Sequence, residues 1–308
     1  MQTPSIPQSP GGPTVVSRED AAAFRRLCRS SPWRWTTLRF DVEWFTGTES
    51  PGPVPPVPPA RTPVAPLDRQ EDFVPADSLS APALVGRPAD AGAQAVPRIS
   101  AWLRRPDALR VEDPEGRLLF STTSIHASRD AFYVSGSRAS WLLPPRLVTP
   151  VYDDDGLVTR RPEADYGDPV FGDARWAAML DPVELAGPAP VPLEFPLSNV
   201  VEIHELAEAH EAGRAVLEAV VSPNLTYTPQ APGFPLLEAG RTRLQIDRET
   251  AVCVYSEALD GPLRGHGHRL VIHARNEYML DDLFVEQSMH LTDVRDHIPW
   301  IVRGRDRG

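Results

Sequence analysis

A mainly β chain, with antiparallel strands wrapped around a hollow and a few helices, is what this sequence predicts, and three observations carry the expectation. Gly213–Pro223, Leu244–Thr250 and Val252–Leu259 read as consecutive antiparallel strands, with a hairpin turn at Asp247–Thr250. Trp35–Phe45 alternates cleanly, with Leu38, Phe40, Val42 and Trp44 on one face and Thr37, Arg39, Asp41 and Glu43 on the other. Period two over that length is a half-buried strand. Shorter runs of the same kind recur at Arg98–Arg105, Ala108–Glu112, Arg117–Thr123 and Arg269–Arg275.

The elements follow in chain order. Residues 1–16 form a polar tail rich in Pro and Gly, expected to be disordered. Ser17 is a candidate N-cap before Glu19 and Asp20, opening an amphipathic helix through Ala21, Phe24, Leu27 and Cys28 that should end before Pro32. After the Trp35–Phe45 strand, residues 47–97 are so rich in Pro, Ala, Gly and Asp that they predict a disordered loop inserted within one domain. Asp113-Pro-Glu-Gly116 supplies the turn between two of the short strands. Weaker strands are expected at Ala131–Ser135 and Ser140–Leu143, and a short helix at Gly172–Leu180 that buries Trp176 and Met179. Pro182–Pro196 reads as an irregular bridge. Val200–His210 has helical composition, so a helix is expected in its C-terminal half, although its position before Gly213 also permits a strand. Leu280–Phe284 leads into the tail at 297–308, which leaves residues 17–296 as one β domain.

Bulk properties bound the function. At 308 residues, with 41% hydrophobic and 24% charged, the chain can bury a real core. A net charge of −11 argues against binding nucleic acid or an anionic membrane with the whole surface. All 31 basic residues are Arg, as expected of a coding bias toward Arg codons. Cys28 and Cys253 lie far apart in different elements and read as a reduced, buried pair. The first residues show no secretory leader or lipid-anchor pattern, and no apolar run reaches the ~18 residues of a membrane span. The chain as written is therefore expected to be cytoplasmic and soluble.

Candidate chemistry is sparse. His204-Glu205 and His210 invite a metalloprotease reading, but the two His lie six residues apart, about 240° around a helix, where one ion cannot bridge them. His266-Gly-His268 would put two imidazoles on one strand face, yet its Gly-rich setting predicts a loop, and His273 has the opposite parity. Tyr152-Asp-Asp-Asp-Gly156 resembles a calcium loop in composition only and reads as an acidic solvated loop. Ser137 lacks the second Gly of a nucleophile elbow, and Asp281-Asp282 has nothing nearby to separate two carboxyl pKa values. Trp102, opposite in parity to Ile99, Ala101 and Leu103, is expected to pack under the Pro-rich loop. No catalytic residue, metal ligand or cofactor site follows from these patterns.

Three segments resemble the LolA-like superfamily of lipoprotein carriers, lipid-binding relatives and anti-sigma-factor regulators. They are Trp102-Leu-Arg-Arg-Pro106-Asp-Ala-Leu-Arg110-Val-Glu, Gly213-Arg214 through Pro223, and Leu244-Gln-Ile-Asp247-Arg-Glu-Thr250. The missing leader and the 47–97 insertion depart from that family. The resemblance implies one strongly curved antiparallel sheet forming a half-open barrel, with helices on its concave side. It also implies an apolar cavity there, because a curled sheet leaves space its own side chains cannot fill. Its lining would be drawn from Leu38, Phe40, Val42, Trp44, Leu109, Val111, Leu118, Phe120, Leu217, Leu244, Ile246, Val252 and Val254. Each methylene of an acyl chain buried there would contribute roughly 0.8 kcal/mol.

The function expected is thus non-enzymatic binding of an apolar small molecule or lipid. Two alternatives stand beside it. One is a protein-interaction module with a closed core, docking a protein partner through its acidic surface or Pro-rich loop. The other is a metal-dependent hydrolase built on the His204 and His266 regions.

Overall fold

In the computed structural model, which describes residues 16–47, 98–123, 143–164, 167–171, 176–192, 194–230 and 235–285, Ser17 caps helix α1 (Arg18–Arg34) by accepting the Asp20 amide at 3.0 Å. Pro32 does not end α1, contrary to the sequence expectation. It falls in the last turn, where it removes one i→i−4 bond but leaves little helix beyond it to disrupt, and arginines take carbonyls nearby. Arg161 Nε donates to the Arg29 carbonyl at 2.9 Å and Arg105 Nη1 to the Ser31 carbonyl at 3.0 Å.

Strands β1 (Thr37–Phe45), β2 (Arg98–Arg104), β3 (Ala108–Glu112) and β4 (Leu118–Thr122) form one antiparallel meander. A small hairpin of β5 (Val151–Tyr152) and β6 (Val158–Arg160) follows, then the short helix α2 (Trp176–Leu180). A second meander runs through β7 (Val201–Glu211), β8 (Arg214–Pro223), β9 (Thr242–Asp247), β10 (Cys253–Ala258) and β11 (Gly267–Arg275). β11 returns to pair with β1, so the described strands join in a nine-stranded sheet of order β4-β3-β2-β1-β11-β10-β9-β8-β7. The protein is therefore mainly β, on a large antiparallel sheet with few helices.

The strand β7 corrects the helix expected in the C-terminal half of Val200–His210. Its Glu, Ala and His residues favour a helix locally, but tertiary pairing overrides propensity. Ala212 (φ 49°) and Gly213 (φ 79°) sit at the tip of a tight hairpin that lays Val201–Glu211 along the length of β8. The strands expected at Ala131–Ser135 and, save Leu143, at Ser140–Leu143 lie outside the described residues. So do Ser137, residues 48–97 of the Pro-rich insertion, and both tails.

Alternation places the apolar side chains of β1, β2, β3 and β11 on the face that carries the helices. There Leu38, Phe40, Val42, Ile99, Leu103, Val111 and Ile272 meet Trp176, Met179 and Leu180 of α2. Toward β8 and β9 the same face meets α1, through Phe24, Leu27 and Cys28 against Leu217, Leu244 and Ile246. Full burial of each such side chain is worth roughly 1.5–3 kcal/mol. Cys28 and Cys253 are both buried, 0% exposed, in different elements, as the sequence predicts.

On the opposite face Trp102 packs with Met279, Leu283 and Phe284. Residues 279–285 cross the outer side of β2–β4 as a strap, while residues 48–97 of the Pro-rich loop expected over Trp102 lie outside the described residues. Arg104 donates to the Met279 carbonyl at 2.8 Å and stacks on the Phe284 ring, while Arg110 donates to the Leu283 carbonyl at 3.0 Å.

One glycine in β11 has no room for a side chain. A Cβ on Gly267 would stand 1.8 Å from the Ser256 carbonyl oxygen and 2.9 Å from Phe45. Gly267→Ala must force β10 and β11 apart, at a cost of at least about 1–3 kcal/mol, read as a lowered midpoint of thermal unfolding.

Candidate functional site

The residues expected to line a cavity fall into the two clusters of the helix-bearing face. Phe40, Val42 and Val111 are 0% exposed and join Val254, at 5%, around Trp176, whose ring lies 5.4 Å from that of Phe40. Trp44 and Phe120 sit half-buried at the margin, with Phe120 stacked on Phe171 at 6.1 Å. Leu217 and Ile246 belong to the other cluster, under α1. Small voids of about 10 Å³ remain here, one beside Trp176 and Asp168 and one beside Val254 and Ile272. Each has room for about one water.

A larger hollow lies elsewhere. The exposed face of α1, residues 190–192 and 196–197 and the start of β7 enclose a groove of about 490 Å³, inside the ~300–1,000 Å³ range of small-molecule sites. Ala21 and Ala22 form its floor on the helix, Val201 and Ile203 line the strand side, and Pro192 and Leu197 form the opposite lip. Phe195, Leu197 and Leu225 are exposed at 63%, 88% and 105% near this mouth. The small side chains of Ala21 and Ala22 leave room on the helix side, and a 3-10 turn at Pro196–Ser198 forms part of the lip.

Along α1 the groove is also lined by Arg18, Arg25, Arg26 and Arg29. Their partners differ. Arg26 pairs with Asp153 at 2.8 Å, and Arg29 donates to the carbonyls of Gly187, Ala186 and Ala189 at 2.7, 2.7 and 2.9 Å. Burial lowers the Arg29 guanidinium to about 10, and its own arginine neighbours add to the effect. Arg25 Nη2 reaches only the Val201 carbonyl, at 3.5 Å, and its buried Nε has no hydrogen-bond partner among the described residues. Burial lowers the pKa of Arg25 too, though a guanidinium stays charged at neutral pH.

The histidines are dispersed. His204 Nε2 bonds Ser222 Oγ at 2.9 Å, across β7 and β8. His266 precedes β11, and His268 corrects the loop expectation: it lies within β11, 0% exposed. Its Nε2 donates to the Cys253 carbonyl at 2.9 Å, which leaves Nδ1 to accept from Ser256 Oγ at 2.7 Å. No group of three or more His, Cys, Asp or Glu able to hold one metal ion occurs among the described residues. Asp153, in the acidic run, is committed to its own β5–β6 turn through the Asp155 and Leu157 amides at 3.1 and 2.8 Å.

A further polar cluster joins β1, β2 and β11 on the outer face. Burial by itself raises the Asp41 carboxyl. Hydrogen bonds from His273 (3.2 Å), Ser100 (2.7 Å) and Arg98 (2.9 Å) outweigh that effect and hold it at about 2. A carboxyl depressed below its ordinary 3.8 contributes stability that is complete above the unfolded value and lost as pH falls through the folded one. Asp41→Asn should therefore weaken the protein at neutral pH by up to about 2 kcal/mol. It should also flatten the loss between about pH 4 and pH 2, as read by urea unfolding across that range.

Neither Arg25 nor the groove was signalled by any motif; a helix face of Arg at 18, 25 and 29 with Ala at 21 and 22 is the one trace in the sequence. No helix among the described residues is long and apolar enough to cross a membrane. The LolA-like resemblance rests on its three quoted segments. No protein-family model matches the chain, and neither does any curated protein or solved structure.

Proposed function

We propose that this protein is a non-enzymatic binding protein that takes an apolar small molecule or lipid into the groove between α1, residues 190–192 and 196–197, and β7. The supporting observation is the groove itself, about 490 Å³ with an apolar floor and walls. The sheet serves as the scaffold, rigid because its helix-bearing face is packed on both α1 and α2. We extend the proposal to the sheet's shape: a half-open barrel, curled toward the side on which both helices sit.

A neutral apolar dye such as N-phenyl-1-naphthylamine tests the reading. It should bind saturably with enhanced fluorescence, and Ala22→Trp, which fills the groove from an accessible helix face, should abolish the uptake without changing the circular dichroism. Uptake that ignores Ala22→Trp, or no uptake at all, overturns the groove as the site.

A second reading has its own support. Phe195, Leu197 and Leu225 place three exposed apolar side chains near one mouth, and such patches also mark protein interfaces. On that reading the groove receives a partner's side chain, and Leu197→Asp would weaken the partner complex while leaving dye uptake unaltered.

A further inference from the structure

We propose that the ligand of this groove is a single-chain alkyl carboxylate, its head held by the guanidinium of Arg25; the inference rests on the groove being a binding site.

Arg25 differs from the other arginines of the inner fold. Arg105, Arg161 and Arg214 each face a carboxylate, that of Asp168, Asp181 and Asp247 respectively. Arg25 has no ion pair among the described residues, and its contact with the Val201 carbonyl at 3.5 Å is at the limit of a hydrogen bond. A partly buried guanidinium with an unpartnered Nε pays for desolvation without an anion in return. With Nε itself buried, it is the Nη end of Arg25, which lines the groove, that suits a carboxylate oxygen. The apolar walls begin beside it, at Ala22 and Val201, so a head on Arg25 sends its tail along them.

The neighbours decide which anion fits. Arg29, one turn further on, has its Nε and Nη2 donors taken by three backbone carbonyls, and Arg26 is paired with Asp153. Arg18 lies two turns back, roughly 10 Å along the axis. The Arg25 guanidinium therefore serves the head, which suits a singly charged carboxylate better than a doubly charged phosphate. Glu202, the sole carboxylate lining the groove among the described residues, disfavours a higher negative charge further.

The test is calorimetric titration of the full-length protein with decanoate, decan-1-ol and decyl phosphate, using the wild type, Arg25→Gln and Arg25→Lys. Decanoate should bind about tenfold to a hundredfold more tightly than decan-1-ol. Arg25→Gln should erase that difference, and Arg25→Lys should retain part of it. Equal binding of acid and alcohol by the wild type overturns the carboxylate assignment while the groove reading stands. Phosphate binding tighter than decanoate also overturns it. Binding of none of the three overturns the groove reading together with this one. The comparison of acid with alcohol needs no variant, so it decides the matter even if Arg25→Gln is unstable.

Discussion

Asp168→Ala should cost the fold about 3–5 kcal/mol, a large part of the ordinary margin of a folded domain. Arg105 holds Asp168 through two parallel bonds of 2.7 and 2.8 Å, with side-chain exposures of 6% and 10%. The same guanidinium donates to the Ser31 and Trp35 carbonyls at 3.0 and 2.8 Å and stacks on the Trp35 ring. It thereby ties the end of α1 to the start of β1. Removing the carboxylate leaves that charge buried against carbonyls and one aromatic face, which do not neutralise it. Arg105→Met combined with Asp168→Leu should cost less than the sum of the two single changes, because no charge is then stranded. Urea unfolding of the set reads both the loss and the coupling.

Phe40→Ala should cost about 3–5 kcal/mol as well. Phe40 is 0% exposed at the centre of β1, opposite Ile272 on one neighbouring strand and Ala101 on the other. Its ring meets Trp176, which in turn meets Phe171 at 6.0 Å. Truncation opens a void that α2 cannot close without breaking these contacts. The same position was a candidate cavity wall, so the two roles separate experimentally: a packed core loses stability on truncation, whereas a ligand-lined wall loses stability only when the ligand is absent. Thermal unfolding of Phe40→Ala with and without saturating decanoate distinguishes them.

Much of the sheet was legible because alternation and turn chemistry are local. Leu38, Phe40, Val42 and Trp44 declared the inner face of β1. Asp247 and Thr250 declared the β9–β10 turn, where one Asp247 oxygen accepts the Thr250 amide and hydroxyl, both at 2.7 Å. The cap at Ser17 is equally local. β7 was not legible, because Glu202-Ile-His-Glu-Leu-Ala-Glu-Ala carries helical composition and its strand form depends on β8. The packing of Trp102 on residues 279–284 was not legible because that segment comes from the far end of the chain. The groove was hidden for the same reason. Arg25 stands open only because Val201, from an edge strand far along the chain, and the lip of residues 190–192 and 196–197 arrive without a carboxylate positioned to pair with it. Side chains that serve a site by what fails to approach them leave no mark in a pattern of spacing.

Amide NMR shift mapping during titration with decanoate tests the central claim most directly. The perturbed amides should concentrate at Ala21, Ala22, Arg25, Val201 and Ile203, with the β1–β3 core unmoved. Shifts confined to Phe40, Val42 and Val111 while the groove stays silent, or no shifts at saturating ligand, would contradict it.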